Sequence, residues 1–199
     1  QLISSQTTVA ALAKIWIRFL HDEGRIENSI INEYERVLNN VVVPELGGLR
    51  LTEVTTGRLD AFLLRLRSVS ASRQRKTKVV LGAMFALAVR HDALYINPVQ
   101  QTSKIHRDRQ EVRSLTIEDL QRVRTALKKW ATEARPGPKA SSDMADIVDV
   151  MLGSGARIGE VLALRWADVD LAATPPTLTI KGTIRTEKGK GTYRKAHPK

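Results

Sequence analysis

The sequence predicts a mainly α protein, a four-helix bundle followed by the opening part of an α+β unit with a β-hairpin. Three observations carry that prediction. Four apolar stripes in the first half recur at three- and four-residue steps, with turn punctuation between them. The periodicity is lost over residues 99–114, and residues 177–185 concentrate β-branched side chains ahead of a Lys188-Gly189-Lys190-Gly191 turn.

Taken in order, Thr8 is placed to cap a first helix whose stripe is Val9, Leu12, Ile15, Trp16 and Phe19 and whose stop is Gly24. The second carries Ile31, Tyr34, Val37, Leu38 and Val41, and Pro44 is expected to end it, because the ring has no N–H and clashes with the preceding turn. After Gly47-Gly48, Thr55 or Thr56 caps a third helix with Leu59, Phe62, Leu63 and Leu66 inward. The fourth starts near Ser70, turns Val79, Val80, Ala83, Met84, Leu87 and Ala88 inward, and ends before Asn97-Pro98. Its Arg- and Lys-rich first turns stay outside.

Residues 99–114 gather Gln, Ser, Lys, Arg and Asp, as an interdomain linker does, so the domains are expected at 1–105 and 106–199. Thr116 to Asp119 then offers a capping-box start to a helix striped by Leu120, Val123, Leu127 and Trp130. Asp143 opens another through Ile147, Val148, Met151 and Leu152, which Gly153-Ser154-Gly155 breaks. A further helix is expected over Ile158 to Leu164, anchored in the core by Leu162, Leu164 and Trp166.

Composition narrows the chemistry. The 199 residues hold no Cys, which removes disulfides, thiolate zinc sites and thiol nucleophiles together. His21, His91, His106 and His197 are scattered, with no pair three or four residues apart, so neither metal nor cofactor is expected. Apolar runs such as Val41-Val42-Val43 fall far short of the roughly 20 residues of a membrane span. The chain opens on Gln1 without a signal-peptide pattern, which predicts a soluble piece of a longer cytoplasmic protein.

Thirty-two Lys plus Arg face 21 Asp plus Glu, a net charge of +11 that favours polyanionic partners. The excess is concentrated. Arg65, Arg67, Arg73, Arg75, Lys76 and Lys78 lie in one stretch without an acid, and from Lys181 onward seven cations face the single acid Glu187. Two such segments, the first including Arg73, Arg75, Lys76 and Lys78 and the second Lys188 and Lys190 in the turn, predict two surfaces that grip one long anion. Aromatics are 5% of the chain and lie mostly on helix stripes, which disfavours single-stranded RNA as the ligand.

The stretch Gly153 to Asp170 carries the candidate chemistry. Its glycine-rich break leaves Arg157 at the start of a helix, where unpaired N–H groups already favour an anion. A guanidinium adds bidentate phosphate recognition, and Glu160, one turn on, can orient it. Read alone, this pair is better explained as an ordinary helix-surface contact near a glycine cap; what outweighs that reading is the wider motif. The wider text resembles the tyrosine recombinase family of phage-type integrases. Ser154-Gly155-Ala156-Arg157, Glu160, Leu164, Trp166, Asp168, Val169 and Asp170 match the setting of that family's first catalytic arginine. The Pro44-Glu45-Leu46-Gly47 turn, Leu51-Thr52-Glu53-Val54 and Asn97-Pro98 match its core-binding domain, and Leu115 to Leu120 its opening catalytic helix.

The resemblance implies a SAM-like core-binding bundle at 1–105 and, at 106–199, the N-terminal portion of the catalytic domain. It implies double-stranded attachment-site DNA as substrate, a 3′-phosphotyrosine intermediate and a homotetramer on DNA for the full-length protein, acting at a bacterial nucleoid. Arg157 would hold the scissile phosphate, Glu160 would support it, and a hairpin lysine, placed at Lys199 with Lys188 and Lys190 as alternatives, would be the general acid; Arg73, Arg75, Lys76 and Lys78 would face the DNA, as would Lys188 and Lys190 in the hairpin. The family's His-x-x-Arg pair and nucleophilic tyrosine have no match here. Tyr34 and Tyr95 read as packing residues and Tyr193 as part of the hairpin, so the chain by itself is expected to be monomeric and to bind DNA without cutting it. The alternative is a non-catalytic, basic, helical DNA-binding module.

Overall fold

The structure is a computed structural model that describes residues 3–105, 114–133, 141–187 and 189–196. It is mainly helical, and the chain divides into two compact units, Gln1–Arg109 and Gln110–Lys199.

The first unit is built by its stripes. Helix α1 (Val9–Glu23) is capped by Thr8, whose hydroxyl accepts from the Ala11 N–H, and ends at Gly24 with φ 64°. Val9, Leu12, Trp16 and Leu20 are its buried face. Helix α2 (Asn28–Val37) lays Tyr34 on Trp16, rings stacked with centroids 5.6 Å apart. Pro44 does not end this run. A π turn over Leu38–Val42 follows, in which the Val43 N–H reaches the Leu38 carbonyl, and helix α3 (Val43–Leu46) accepts Pro44 in its first turn. The wider π turn changes the local hydrogen-bond phase, and a proline in a first turn lacks only an N–H that needs no helical partner.

Thr55 caps α4 (Thr56–Val69), which buries Leu59, Phe62, Leu63 and Leu66. Ser70 ends that helix and caps α5 (Ala71–Arg90). The buried face of α5 differs from the expected one. Gln74, Thr77, Leu81, Met84, Phe85 and Ala88 point inward with Val80 and Leu87, whereas Val79 and Ala83 are exposed. The three- and four-residue stepping holds, but the buried stripe is rotated away from Val79 and Ala83, because two polar residues, Gln74 and Thr77, belong to the core face. Beyond α5, Tyr95 is fully exposed rather than packed; the Asp92 turn, φ 55°, sends the chain back so that Ala93 and Asn97 are buried instead.

The segment from residue 97 is less linker-like than its composition. Asn97 donates to the Gly82 carbonyl at 2.8 Å, Val99 and Thr102 are buried, and the Ser103 N–H donates to Asp60 at 2.8 Å. These bonds fasten residues 97–103 across α4 and α5.

The second unit opens with α6 (Ile117–Thr132), whose capping box is present: Thr116 accepts from the Asp119 N–H, and Asp119 accepts from the Thr116 N–H. Its expected stripe is only half covered, with Leu120 and Leu127 partly buried and Val123 and Trp130 exposed. The cover is α7 (Asp143–Ser154), joined through Arg124 to Asp149 at 2.8 Å. Helix α8 (Ile158–Val161) is a single turn rather than a helix to Leu164. Strands β1 (Val169–Asp170) and β2 (Thr177–Leu178) pair antiparallel, as do β3 (Gly182–Glu187) and β4 (Gly191–Ala196), which form the hairpin.

The anchors after α8 are also corrected. Leu162 and Trp166 are exposed and Leu164 is partly buried; Val161, Ala163 and Asp168 are buried in their place. Because α8 stops after one turn and a 3₁₀ turn follows at Trp166–Asp168, the helical phase that would have carried Trp166 inward is lost.

Candidate DNA interface and phosphate site

Gly155 ends α7 with φ 69°, its N–H on the Met151 carbonyl at 2.9 Å. A left-handed residue here suits glycine and turns the chain sharply into α8. Ser154 holds the turn by donating to the Val150 carbonyl at 2.6 Å and accepting from the Ala156 N–H at 3.2 Å. Ala156 is buried, and Arg157 follows it as the extended residue at the head of α8.

Glu160 then grips Arg157 twice. One carboxylate oxygen accepts the Arg157 backbone N–H at 2.9 Å and the other takes its guanidinium at 3.1 Å. The Glu160 side chain is 9% exposed and that of Arg157 is 78% exposed. The guanidinium therefore stands in solvent on a base fixed by a buried acid. The backbone N–H of Arg157, and then its side chain and charge, hold the Glu160 carboxyl below the ordinary carboxylate range.

The hairpin is held by polar contacts as well. Glu187 accepts from the Tyr193 hydroxyl at 2.5 Å and pairs with Lys190 at 3.0 Å. These bonds keep the Glu187 carboxyl below its usual range and raise the Lys190 ammonium above its own. Lys190 is thus part of the turn that it decorates. Lys188 and Lys199 lie outside the described residues.

A second buried acid, Asp168, was visible in the sequence only as part of a motif. It accepts the Arg165 N–H at 3.2 Å, meets Arg194 of β4 at 3.5 Å and Lys181 at 3.4 Å, and its own carbonyl accepts from the Thr179 N–H at 2.8 Å. The signal that finds it is a repeated spacing: Arg157…Glu160 and Arg165…Asp168 are both a basic residue whose N–H is capped by the acid three positions on, as are Arg50 and Glu53.

On the first unit, the candidate cations divide. Arg73 is exposed and Arg75 partly so at the start of α5. Lys76 pairs with Glu33 and Arg65 pairs with Glu45. Lys78 turns back to donate to the Thr102 and Ser103 carbonyls at 3.1 and 2.8 Å, so its ammonium serves the fold. Beside them lies a groove of about 350 Å³ lined by Glu33, Arg36, Asn40, Ser72, Arg73 and Lys76. Among the described residues, no helix is long and apolar enough to cross a membrane, and no three His, Cys, Asp or Glu side chains come together as a metal site.

No family model matches the chain, and no curated protein does. Solved structures do. The Tn1549 transposon integrase, solved with circular intermediate DNA, is 21% identical with a TM-score of 0.73 over 96% of this chain and 59% of its own. A lambda integrase dimer on a COC′ core site is 15% identical with a TM-score of 0.67 over 95% of this chain and 48% of its own. A lambda integrase tetramer on a Holliday junction is also 15% identical, with a TM-score of 0.69 over 95% of this chain and 50% of its own. This chain therefore has the fold of the matching part of these integrases, and it spans about half to three-fifths of their length.

Proposed function

We propose that this chain is the DNA-binding unit and the first part of the catalytic unit of a tyrosine recombinase, acting in site-specific DNA breakage and rejoining. The observation that carries the reading is Arg157: a solvent-facing guanidinium fixed at its base by a buried glutamate, in a motif resembling the family's, on a fold shared with integrases solved on DNA.

In this reading the Arg157 guanidinium binds the non-bridging oxygens of the scissile phosphate and stabilises the charge that grows on them in the transition state. Glu160 supplies no proton; ionised at neutral pH, it spares the guanidinium the entropy of being oriented at each turnover. A hairpin lysine gives a proton to the leaving 5′-oxygen. Lys199 is the residue favoured for that role, with Lys188 and Lys190 as alternatives, and the partnership of Lys190 with Glu187 counts against Lys190, because a carboxylate that holds the ammonium protonated makes it a poorer acid. Arg73, Arg75 and Lys76 hold the duplex backbone, Lys76 by exchanging Glu33 for phosphate.

The nucleophile of the reaction belongs, on this reading, to residues outside this chain. Tyr34 is stacked on Trp16 and Tyr193 is bonded to Glu187, which fits their reading as packing and hairpin residues. Residues 1–105 are the core-binding domain and 106–199 the start of the catalytic domain. The full-length protein assembles as a tetramer on paired duplexes in the bacterial nucleoid.

The test is Arg157→Ala in a protein that carries this chain with its downstream catalytic residues. Cleavage of a nicked duplex should fall by about 10²–10³-fold or more, the loss typical of a transition-state anion contact, with duplex affinity nearly unchanged. An Arg157→Ala protein that cleaves normally would overturn the site. Cleavage absent from the unsubstituted protein would favour a non-catalytic DNA-binding module.

A further inference from the structure

We infer that Asp168 is the positioning residue that fixes the basic hairpin beside the Arg157 turn, so that the two present their cations as one preorganised surface. The inference rests on the proposed function only for what that surface grips.

The geometry is that of a junction. Asp168 sits in a 3₁₀ turn whose residues contribute almost no apolar burial: Arg165, Trp166 and Ala167 are exposed, and Asp168 alone is 7% exposed. Its carboxylate meets donors from three places, namely Arg165 of its own turn, Lys181 immediately before β3, and Arg194 in the middle of β4. Arg194 is itself a bridge, because its Nε donates at 2.9 Å to the Ala163 carbonyl, two residues past α8. One salt-bridged arginine thus ties the second hairpin strand to the polypeptide that leaves the Arg157 helix.

Two glycines make this possible by close approach. A Cβ on Gly182 would lie 2.7 Å from the Arg194 guanidinium carbon, so the plane of Arg194 lies flat on that residue of β3. A Cβ on Gly159, between Arg157 and Glu160 in α8, would lie 2.7 Å from the Thr183 hydroxyl, so α8 rests directly on β3. The first hairpin strand touches α8 through Gly159, and the second is pulled to the α8 exit through Arg194 and Asp168. Few apolar side chains are buried nearby to do the same work: Ala156, Val161 and Ala163 are the buried apolar residues of this unit among those described.

Charge explains why an acid occupies the junction. The hairpin and Arg157 are both cationic and repel one another, and a surface meant for phosphate cannot neutralise itself without losing its ligand. One buried carboxylate against Lys181 and Arg194 joins the two parts and leaves a net positive charge facing outward. Lys181, 57% exposed, keeps its ammonium at the rim. A truncation at 168 should therefore matter for position more than for net charge.

The absence of Cys makes the position measurable. Leu162→Cys and Thr192→Cys, both at exposed sites, take spin labels that report the distance from the α8 exit to the hairpin. The parent chain should give one narrow distance distribution. Asp168→Asn, which keeps an acceptor for the Arg165 N–H but loses the charge, should broaden it clearly, while the far-ultraviolet spectrum stays that of the parent. Arg194→Lys should broaden it less, because charge survives but the Ala163 bond is lost. A distribution in Asp168→Asn as narrow as the parent's overturns the inference. Trp166→Ala, in the same turn, serves as the control for mere disturbance, and equal broadening there would also overturn it. The measurement needs no DNA and no catalysis, so it stands or falls separately from the recombinase reading.

Discussion

The two units of this chain are held together by different forces. In the first, one cluster that includes Leu12, Trp16, Ile31, Leu38, Phe62, Phe85 and Met84 excludes water from the centre of a bundle, and polar groups cap its helices and fasten residues 97–103 to its surface. In the second, three apolar residues and two acids are buried among the described residues, and the order comes from carboxylates that accept backbone N–H groups and pair with arginine. The difference teaches where function sits. A bundle that is stable by itself can carry cations on its surface, whereas a site that must hold a charged group at a fixed point is built from directional bonds around it.

The largest expected effect separates the two modes of stabilisation. Phe62→Ala, in a fully buried position, should cost about 3–5 kcal/mol in urea unfolding of the first unit. A cost below about 1 kcal/mol would break the contrast.

Lys78→Met sharpens it. Loss of the two carbonyl contacts at Thr102 and Ser103 should cost about 1–3 kcal/mol while the salt dependence of duplex binding stays as it was. Arg73→Ala with Arg75→Ala should do the reverse, with stability kept and the slope of log affinity against log salt reduced by about 1–2. Titration of duplex binding at several salt concentrations, paired with unfolding curves, distinguishes the outcomes.

Smaller and dependent on pH is the contribution of Glu160. Its carboxyl is held below the ordinary value in the folded chain, so the stability that it adds is present above the carboxylate range and is lost as the pH falls through its lowered value. Glu160→Gln should melt at a lower temperature than the parent at pH 7, and the gap should close towards pH 3. A gap constant with pH would show that charge is not what Glu160 supplies.

The smallest effect is expected at Trp166, 88% exposed in a unit that gives it no cover among the described residues. Trp166→Ala should change stability by no more than about 0.5 kcal/mol in this chain. A cost like that of Phe62→Ala would place the indole against a surface.

Much of the first unit could be read from the sequence because hydrophobic periodicity and caps are local signals. Thr8, Gly24, Thr55 and Ser70 punctuate the helices where the spacing put them. The misreadings have local causes too. Pro44 signals a stop only against a regular α turn, and the π turn before it changes that reference. Apolarity favours Val79 and Ala83 for the inward face of α5, whereas the structure buries the polar Gln74 and Thr77 there. In the second unit the Arg157–Glu160 pair was legible from a three-residue spacing, but Asp168 was not recognised as a junction, since its partners Lys181 and Arg194 are 13 and 26 residues away along the chain.

By itself the sequence determined the helical stripes, the break at Gly155, the hairpin turn and the company of Arg157 with Glu160, because each depends on residues within a turn or two of one another. Only the tertiary structure decided that Lys78 faces the fold, that Trp166 faces solvent, and that Asp168 joins the hairpin to α8. Those outcomes are set by which distant segments arrive at the same place, and no local pattern of side chains encodes that meeting.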